Sequence, residues 1–579
     1  MSPFQYKKGE QQLEDGEFIL LSLHLVFGRI TVKGFGQMKK IISSVTVLLI
    51  SIFLPVYSFS SEPIKVIRYC FSFKEISNNK LIVECTFQGS KTGTSELTLP
   101  HMWANQLELE KNIMELSCIE HTIENTDQPH IKIIHHSPNE LITFSYSVQL
   151  LSEDLSDENY YRPLGNDSYF YGIGHGIFVI PSEQDAKMSI ILQWNDIPGD
   201  WKIANSFGEG QILQEIEGFS NDLPTYVFLA GDFKVINCNP GLHPICIAIR
   251  GNWPFSPDEF ASVVQQIVMT QRNFWNDHEF PYYLVSVIPI DTKNCYGGTA
   301  LTNTFSLFLG DNNYSKDESL KELAGLISHE HFHTWNGHKI HSSEPQGSMY
   351  WFSEGFTEYY SRKLNYSSGI ISKNEYVDLV NEFLIDYFSS PVHNISNETI
   401  VKNFWTDRAA YLLPYDRGFV LALYLDTKIQ SKSKELSLDN FMHDLLEFSK
   451  KKNGGFSFDD FFHLLGNYVD QEDLISIKKF VIEGDSIPVL QEAMGSDYRL
   501  EWEDYIGIKL QESLESGSIK GVLDGSVAFQ AGLKNGLKIV DFNKKGNLII
   551  FTVIDENEGA QKNITYEIKE LKQIPRYLR

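Results

Sequence analysis

The sequence predicts a multidomain chain with an all-β N-terminal region, a middle region that is mixed α/β and then helical, and a small β region at the C-terminus. Three observations predict it. At 579 residues the chain exceeds a single core, since domains run to about 100 to 200 residues. Short runs of branched and aromatic residues separated by Asn, Ser, Gly and Pro dominate up to about Leu223 and return beyond about Leu500. Between them apolar residues recur at helical spacing.

In the first region, Leu81 to Phe87 and Leu141 to Val148 have the composition of strands, and residues 62–223 are expected to form an all-β domain. From Pro224 the strand-like runs Tyr226 to Leu229 and Tyr283 to Ile290 lead into helical patterns around Glu259 to Trp275, Leu320 to Trp335 and Gly418 to Ile429. Residues 224–498 therefore read as one mixed domain and 499–579 as a third, in which Ala528 to Leu537 reads as a strand and turn.

Ahead of all this, Met38-Lys39-Lys40, the apolar run Ile41 to Leu54 and the small or polar stretch Ser58 to Ser61 follow the layout of an export signal, expected over residues 38–60. The apolar run is short for a membrane span, so an exported chain, periplasmic or extracellular, is expected over one anchored through residues 41–54, with no stable span in the mature chain. Residues 1–37 read as an upstream over-extension of the frame. Six cysteines follow the signal, and an even count in an exported chain permits disulfides. Cys238 and Cys246 flank Asn239-Pro240-Gly241, a turn signal, and are read either as facing one another across a hairpin or as buried thiols. The formal charge of -26 argues against nucleic-acid partners, because an acidic field repels phosphate.

The chemistry concentrates in His329-Glu330-His331-Phe332-His333, an H-E-x-x-H pattern inside a helix whose start is marked by Ser315 and Glu318 as a capping box. Residues four apart share a helix face, so His329 and His333 can aim at one Zn²⁺. Glu330 beside them is placed to take a proton from an attacking water and pass it to a leaving amine. A catalytic zinc needs one more protein ligand and an open position. Glu354 is the choice for that ligand, with Glu358 one turn on as a carboxylate that orients a histidine. Gly297, Gly298, Thr299 and Ala300 are read as an edge strand that pairs with an extended peptide. Tyr415, in a cluster with Tyr411 and Arg417, is the choice for stabilising an oxyanion. His331, His338 and His341 leave open a plain histidine cluster.

His329 to Asn336, Trp351 to Tyr360 and Tyr415-Asp416-Arg417-Gly418 together resemble the glycyl aminopeptidase family of gluzincin metallopeptidases. The resemblance implies an N-terminal β domain, a thermolysin-like catalytic domain and a C-terminal PDZ domain. It also implies one zinc ion held by His329, His333 and Glu354, Glu330 as general base, and peptide or protein substrates. Gly297-Gly298-Thr299-Ala300-Leu301 stands where aminopeptidases of that family carry Gly-Gly-Leu-Glu-His, so the glutamate expected near a substrate's amino group is replaced by Ala300. Amino-terminal trimming, including trimming of small residues, and internal cleavage both stay open. The competing reading is a non-catalytic exported peptide-binding protein with a structural metal site. Intact Glu330 speaks against it, since a structural site needs no base. A zinc hydrolase acting on other bonds would use the same ligands.

Overall fold

The computed structural model describes residues 65–579 except 104–105, 153–160, 182–186, 239–242, 279–281, 292–295, 311–314, 346, 453–454, 523–525, 556–558 and 569–571. The expected export signal at 38–60, the over-extension at 1–37, the Asn239-Pro240-Gly241 turn and Cys295 lie outside the described residues.

The N-terminal part is built on strict alternation. In Lys80–Gln88, Leu81, Val83, Cys85 and Phe87 are buried while their neighbours are not, as a half-buried strand requires. This strand lies inside a six-stranded sheet between Val66–Ser72 and Leu141–Gln149. A five-stranded sheet follows, in which Val227–Gly231 pairs with Tyr169–Ile173 on one side and Lys202–Asn205 on the other. The expected boundary at 223/224 therefore cuts through one sheet. Composition changes near Pro224, but strand pairing over some sixty residues leaves no local mark.

The next sheet is mixed. Ile245–Ile249, Tyr283–Ile290 and Thr304–Gly310 run parallel at its centre, with Lys234–Cys238 and Tyr296–Leu301 antiparallel at its edges. Ile245–Ile249 is buried at every position, the sign of a strand covered on both faces. On one face Ile247, Val285 and Leu307 pack against Val264 and Ile267 of helix Pro257–Trp275 and Ile327 of helix Lys316–Phe332. On the other, Cys246, Leu284 and Phe308 meet Tyr171, Val227 and Leu229 of the five-stranded sheet. Cys238 and Cys246 do lie on the two arms of a hairpin, yet Cys238 pairs with Ile245 and Cys246 with Asn237. A one-residue offset sends them to opposite faces, so they do not face one another across the hairpin.

A helical part completes the middle of the chain, with Phe356, Tyr360, Val380, Leu384, Phe419 and Phe441 in one core. No described helix is long and apolar enough to cross a membrane. The C-terminal part has its own core of Ile506, Ile519, Leu533, Ile549 and Phe551 under a three-stranded sheet. Ala528 to Gln530 belong to a short helix, not a strand: Ser526 caps it by accepting from the Phe529 N–H at 3.1 Å. Strand Lys572–Leu578 ties this part to helix Lys373–Ser389, where Asn381 exchanges two hydrogen bonds with the Tyr577 backbone at 2.9 and 2.8 Å.

Candidate metal centre and cleft

Helix Lys316–Phe332 begins with the expected capping box of Ser315 and Glu318 and carries His329 and Glu330 on its last turn. It ends at His333. Helix Gly355–Ser367 packs along it in the reverse direction, since Asn365 donates to the Ala324 carbonyl, Arg362 to that of Gly325, and Ser328 to that of Ser361. Extending this register brings Glu354 and Glu358 opposite the two histidines. Asn336 locks the far end, donating to the Phe352 carbonyl and to Thr357 Oγ1, each at 3.1 Å.

His329, His333 and Glu354 converge. The two Nε2 atoms are 3.1 Å apart, and each is 3.4 Å from Glu354 Oε2. Ligand atoms about 2.0 to 2.1 Å from a tetrahedral zinc lie about 3.3 to 3.4 Å from one another, so the triangle has the size of one face of that coordination. Orientation agrees with size. His333 Nδ1–H donates to the Asn336 carbonyl at 2.9 Å, and His329 Nδ1 sits 3.1 Å from Glu358 Oε1 in an ion-pair contact bent away from a straight hydrogen bond. With both Nδ1 positions occupied, both Nε2 lone pairs are left for a metal.

The charges agree as well. Burial works against the charged form of both imidazoles, but Glu358 and Glu354 override it, raising His329 to about 10 and lifting His333 above its ordinary value. Burial likewise opposes the Glu354 carboxylate, and the two histidines nevertheless hold it well below its usual range. Glu358 resists burial through Arg362 and His329, which bring it down to about 2. The field that does this favours any cation placed among the three donors. Arg362 Nη2 holds Glu358 Oε2 at 2.8 Å, a pairing that the four-residue spacing of Glu358 and Arg362 would have signalled. Replacing Glu358 with Gln is expected to weaken metal affinity by about 10- to 100-fold, measured by competition with a chelating dye. Excess metal should restore the bound state. Unchanged affinity would mean that Glu358 orients nothing.

The remaining chosen residues divide. Glu330, Tyr415 and Ala300 line the same cleft of about 660 Å³ as the three donors. Tyr415 stacks on His329 with ring centroids 6.3 Å apart. Burial, Glu354 and Tyr411 raise its phenol far above the ordinary range, so the hydroxyl remains a donor. It lies inside helix Arg408–Lys432, which is capped by Asp407 and runs through Pro414. Arg417 turns away, donating to the His393 and Ile395 carbonyls at 2.8 Å each. Among the described residues Tyr296–Leu301 is the edge strand of the mixed sheet, laddered to Thr304–Gly310, and Ala300 is its residue on the cleft. His331 is no ligand: it is buried, donates to Gln271 Oε1 at 2.8 Å and meets Tyr283 edge-on. Burial and Arg272 lower it to about 3. His338 and His341 are exposed. Gln271 was not legible beforehand, since nothing local distinguishes it from any other helix glutamine.

Another group of donors, Glu120, His121 and Glu140, lies near the surface of the N-terminal part.

Two helices crossing in antiparallel register, with two imidazoles and a carboxylate turned to one point beside a glutamate, form a candidate metal site with the donor set found in metal-dependent hydrolases. Residues 322–409 match the family model described as M61 glycyl aminopeptidase, a segment that holds all three donors and Glu330. The chain is also similar to a crystal structure of an aminopeptidase N family protein from Idiomarina loihiensis, with 17% identity, a TM-score of 0.65, and 88% of this chain and 97% of that one covered, and the two share a fold. A looser likeness, at 12% identity and a TM-score of 0.42 over 74% of this chain and 96% of the other, is to an M1 zinc metallopeptidase from Deinococcus radiodurans. No curated protein matches. The family match and the donor geometry support a peptidase.

Proposed function

We propose that the chain is an exported, zinc-dependent peptidase with His329, His333 and Glu354 as ligands of one ion and Glu330 as its general base. The convergence of three donor atoms within 4.8 Å, at the end of a helix that also carries Glu330, is the observation that carries this reading. When bound, zinc polarises the scissile carbonyl and makes water acidic enough to attack at neutral pH. Glu330 then takes the proton of the attacking water and returns it to the leaving amine. The Tyr415 hydroxyl donates to the carbonyl oxygen as charge develops on it. The outer edge of Tyr296–Leu301, with Gly297, Gly298, Thr299 and Ala300, is the place proposed to pair with an extended peptide.

Export rests on the charged, apolar and small-residue sequence of Met38 to Ser61. Residues 499–579 are proposed as a PDZ-like unit on the strength of the sequence resemblance, with the enzyme core between that unit and the N-terminal β part. Ala300 supplies no carboxylate for a substrate's amino group, so amino-terminal and internal cleavage are both kept. The test is a peptide library digested by the purified mature chain and read for both kinds of product. Cleavage that disappears with a chelator and returns with zinc is expected. A zinc-loaded chain that binds peptides and cleaves none would leave a binding protein in its place.

A further inference from the structure

We infer that Asp416 is the carboxylate that receives a cationic group of the peptide substrate. This deepens the peptidase reading and rests on it. Asp416 lines the cleft next to Tyr415 and is half-buried. Three other charges of the cleft are committed to neighbours. Glu354 faces the two histidines, Glu358 is held by Arg362 and His329, and Lys321 pairs with Glu375 outside. The Asp416 carboxylate makes no hydrogen bond or ion pair with any described residue. Its charged neighbours are Asp386, Glu358 and Lys509, and the Lys509 ammonium contacts Asp386 at 3.1 Å instead. Lys509 is thus engaged by Asp386, and burial and the Asp386 charge raise the Asp416 carboxyl well above its usual range. A carboxylate removed from water without a partner is costly, and a ligand that brings a positive charge relieves that cost.

The surroundings describe the rest of the group. Leu379 and Phe383 of helix Lys373–Ser389, with Leu326 and Ile371, give the cleft apolar walls. Phe383 is fixed by stacking on Phe419 at 3.9 Å. An alkyl stem bearing an ammonium or guanidinium suits such a wall beside a lone carboxylate. A lysine or arginine side chain next to the cleaved bond has that chemistry, and so does a peptide's free amino terminus. Ala300, the cleft residue of the edge strand, offers only a methyl group, whereas Asp416 brings a carboxylate.

The test uses the zinc-loaded full chain and four versions of one cleaved peptide: lysine or norleucine beside the cleaved bond, each with a free or acetylated amino terminus. In the wild type, kcat/KM should favour the cationic member of one pair by on the order of 10- to 100-fold. The pair that shows the preference tells side chain from amino terminus. In Asp416→Asn the ratio should fall towards one, and because it is taken within each protein, a general loss of activity does not affect it. Asp416→Ser serves if the asparagine variant does not fold. A wild-type ratio of one in both pairs, or a ratio kept in the variants, overturns the inference while leaving the peptidase standing. A wild type that cleaves none of the peptides removes both.

Discussion

Glu330→Gln is expected to lower kcat on the order of 1000-fold while leaving zinc content and peptide affinity nearly unchanged. General acid–base catalysis contributes about 100- to 10,000-fold, and here one group serves both proton transfers, so an effect well above the low end is expected. The separation of catalysis from metal binding follows from the geometry. Glu330 lines the cleft but is not among the three converging donors. It sits one residue from His329 on the last turn of the helix, about 100° around from the ligand face. Stopped-flow or steady-state rates beside metal analysis of the same samples decide the matter. Loss of zinc in step with activity would make Glu330 a ligand and leave the chain without an assigned base.

Much of this site was legible because each of its signals is local. The H-E-x-x-H spacing, the Ser315 cap and the strand alternation of Lys80–Gln88 all lie within one turn or one strand. Glu354 was found because a catalytic zinc demands a third ligand and few acidic residues follow the helix at the start of another. What was missed depends on distant neighbours. Pro414 hid the first two turns of helix Arg408–Lys432, because a proline ring ordinarily ends or kinks a helix. Here Asp407 starts the helix ahead of the proline, and Leu413, Phe419 and Leu421 hold it in the core. Val227–Gly231 looked like the start of a new domain because its partners are Tyr169–Ile173 and Lys202–Asn205. Asp416 passed as one more residue of a resemblance motif. Its lack of a partner depends on which way Arg417 and Lys509 turn, and spacing does not show that.

Gly418→Ala should destabilise the fold by about 3 kcal/mol or more and weaken zinc binding, although helix propensity alone points the other way. Alanine in a helix interior is favoured over glycine by about 1 kcal/mol. Against that, a Cβ at Gly418 would lie 1.9 Å from the Trp351 carbonyl oxygen and 2.7 Å from the Gly355 Cα, where ordinary contact begins at 3.4 Å. Both obstacles are backbone atoms, so no side chain can swing aside. Overpacking costs about 1 to 3 kcal/mol where side chains yield, and a backbone-on-backbone clash belongs at or beyond the top of that range. Sterics therefore win over propensity. The damage reaches the metal because the crossing fixes both sides of the cleft at once. Glu354 lies between Trp351 and Gly355, and Tyr415 is one turn before Gly418. Separating the helices by an ångström carries Glu354 Oε2 away from the two Nε2 atoms it now meets at 3.4 Å, and misplacement on that scale can cost about 100-fold in rate. Thermal unfolding with and without zinc, together with a zinc titration, measures both effects. A variant that melts higher, as propensity alone would have it, would mean the helices do not cross this closely and that something other than the Gly355–Gly418 contact holds Glu354 in place.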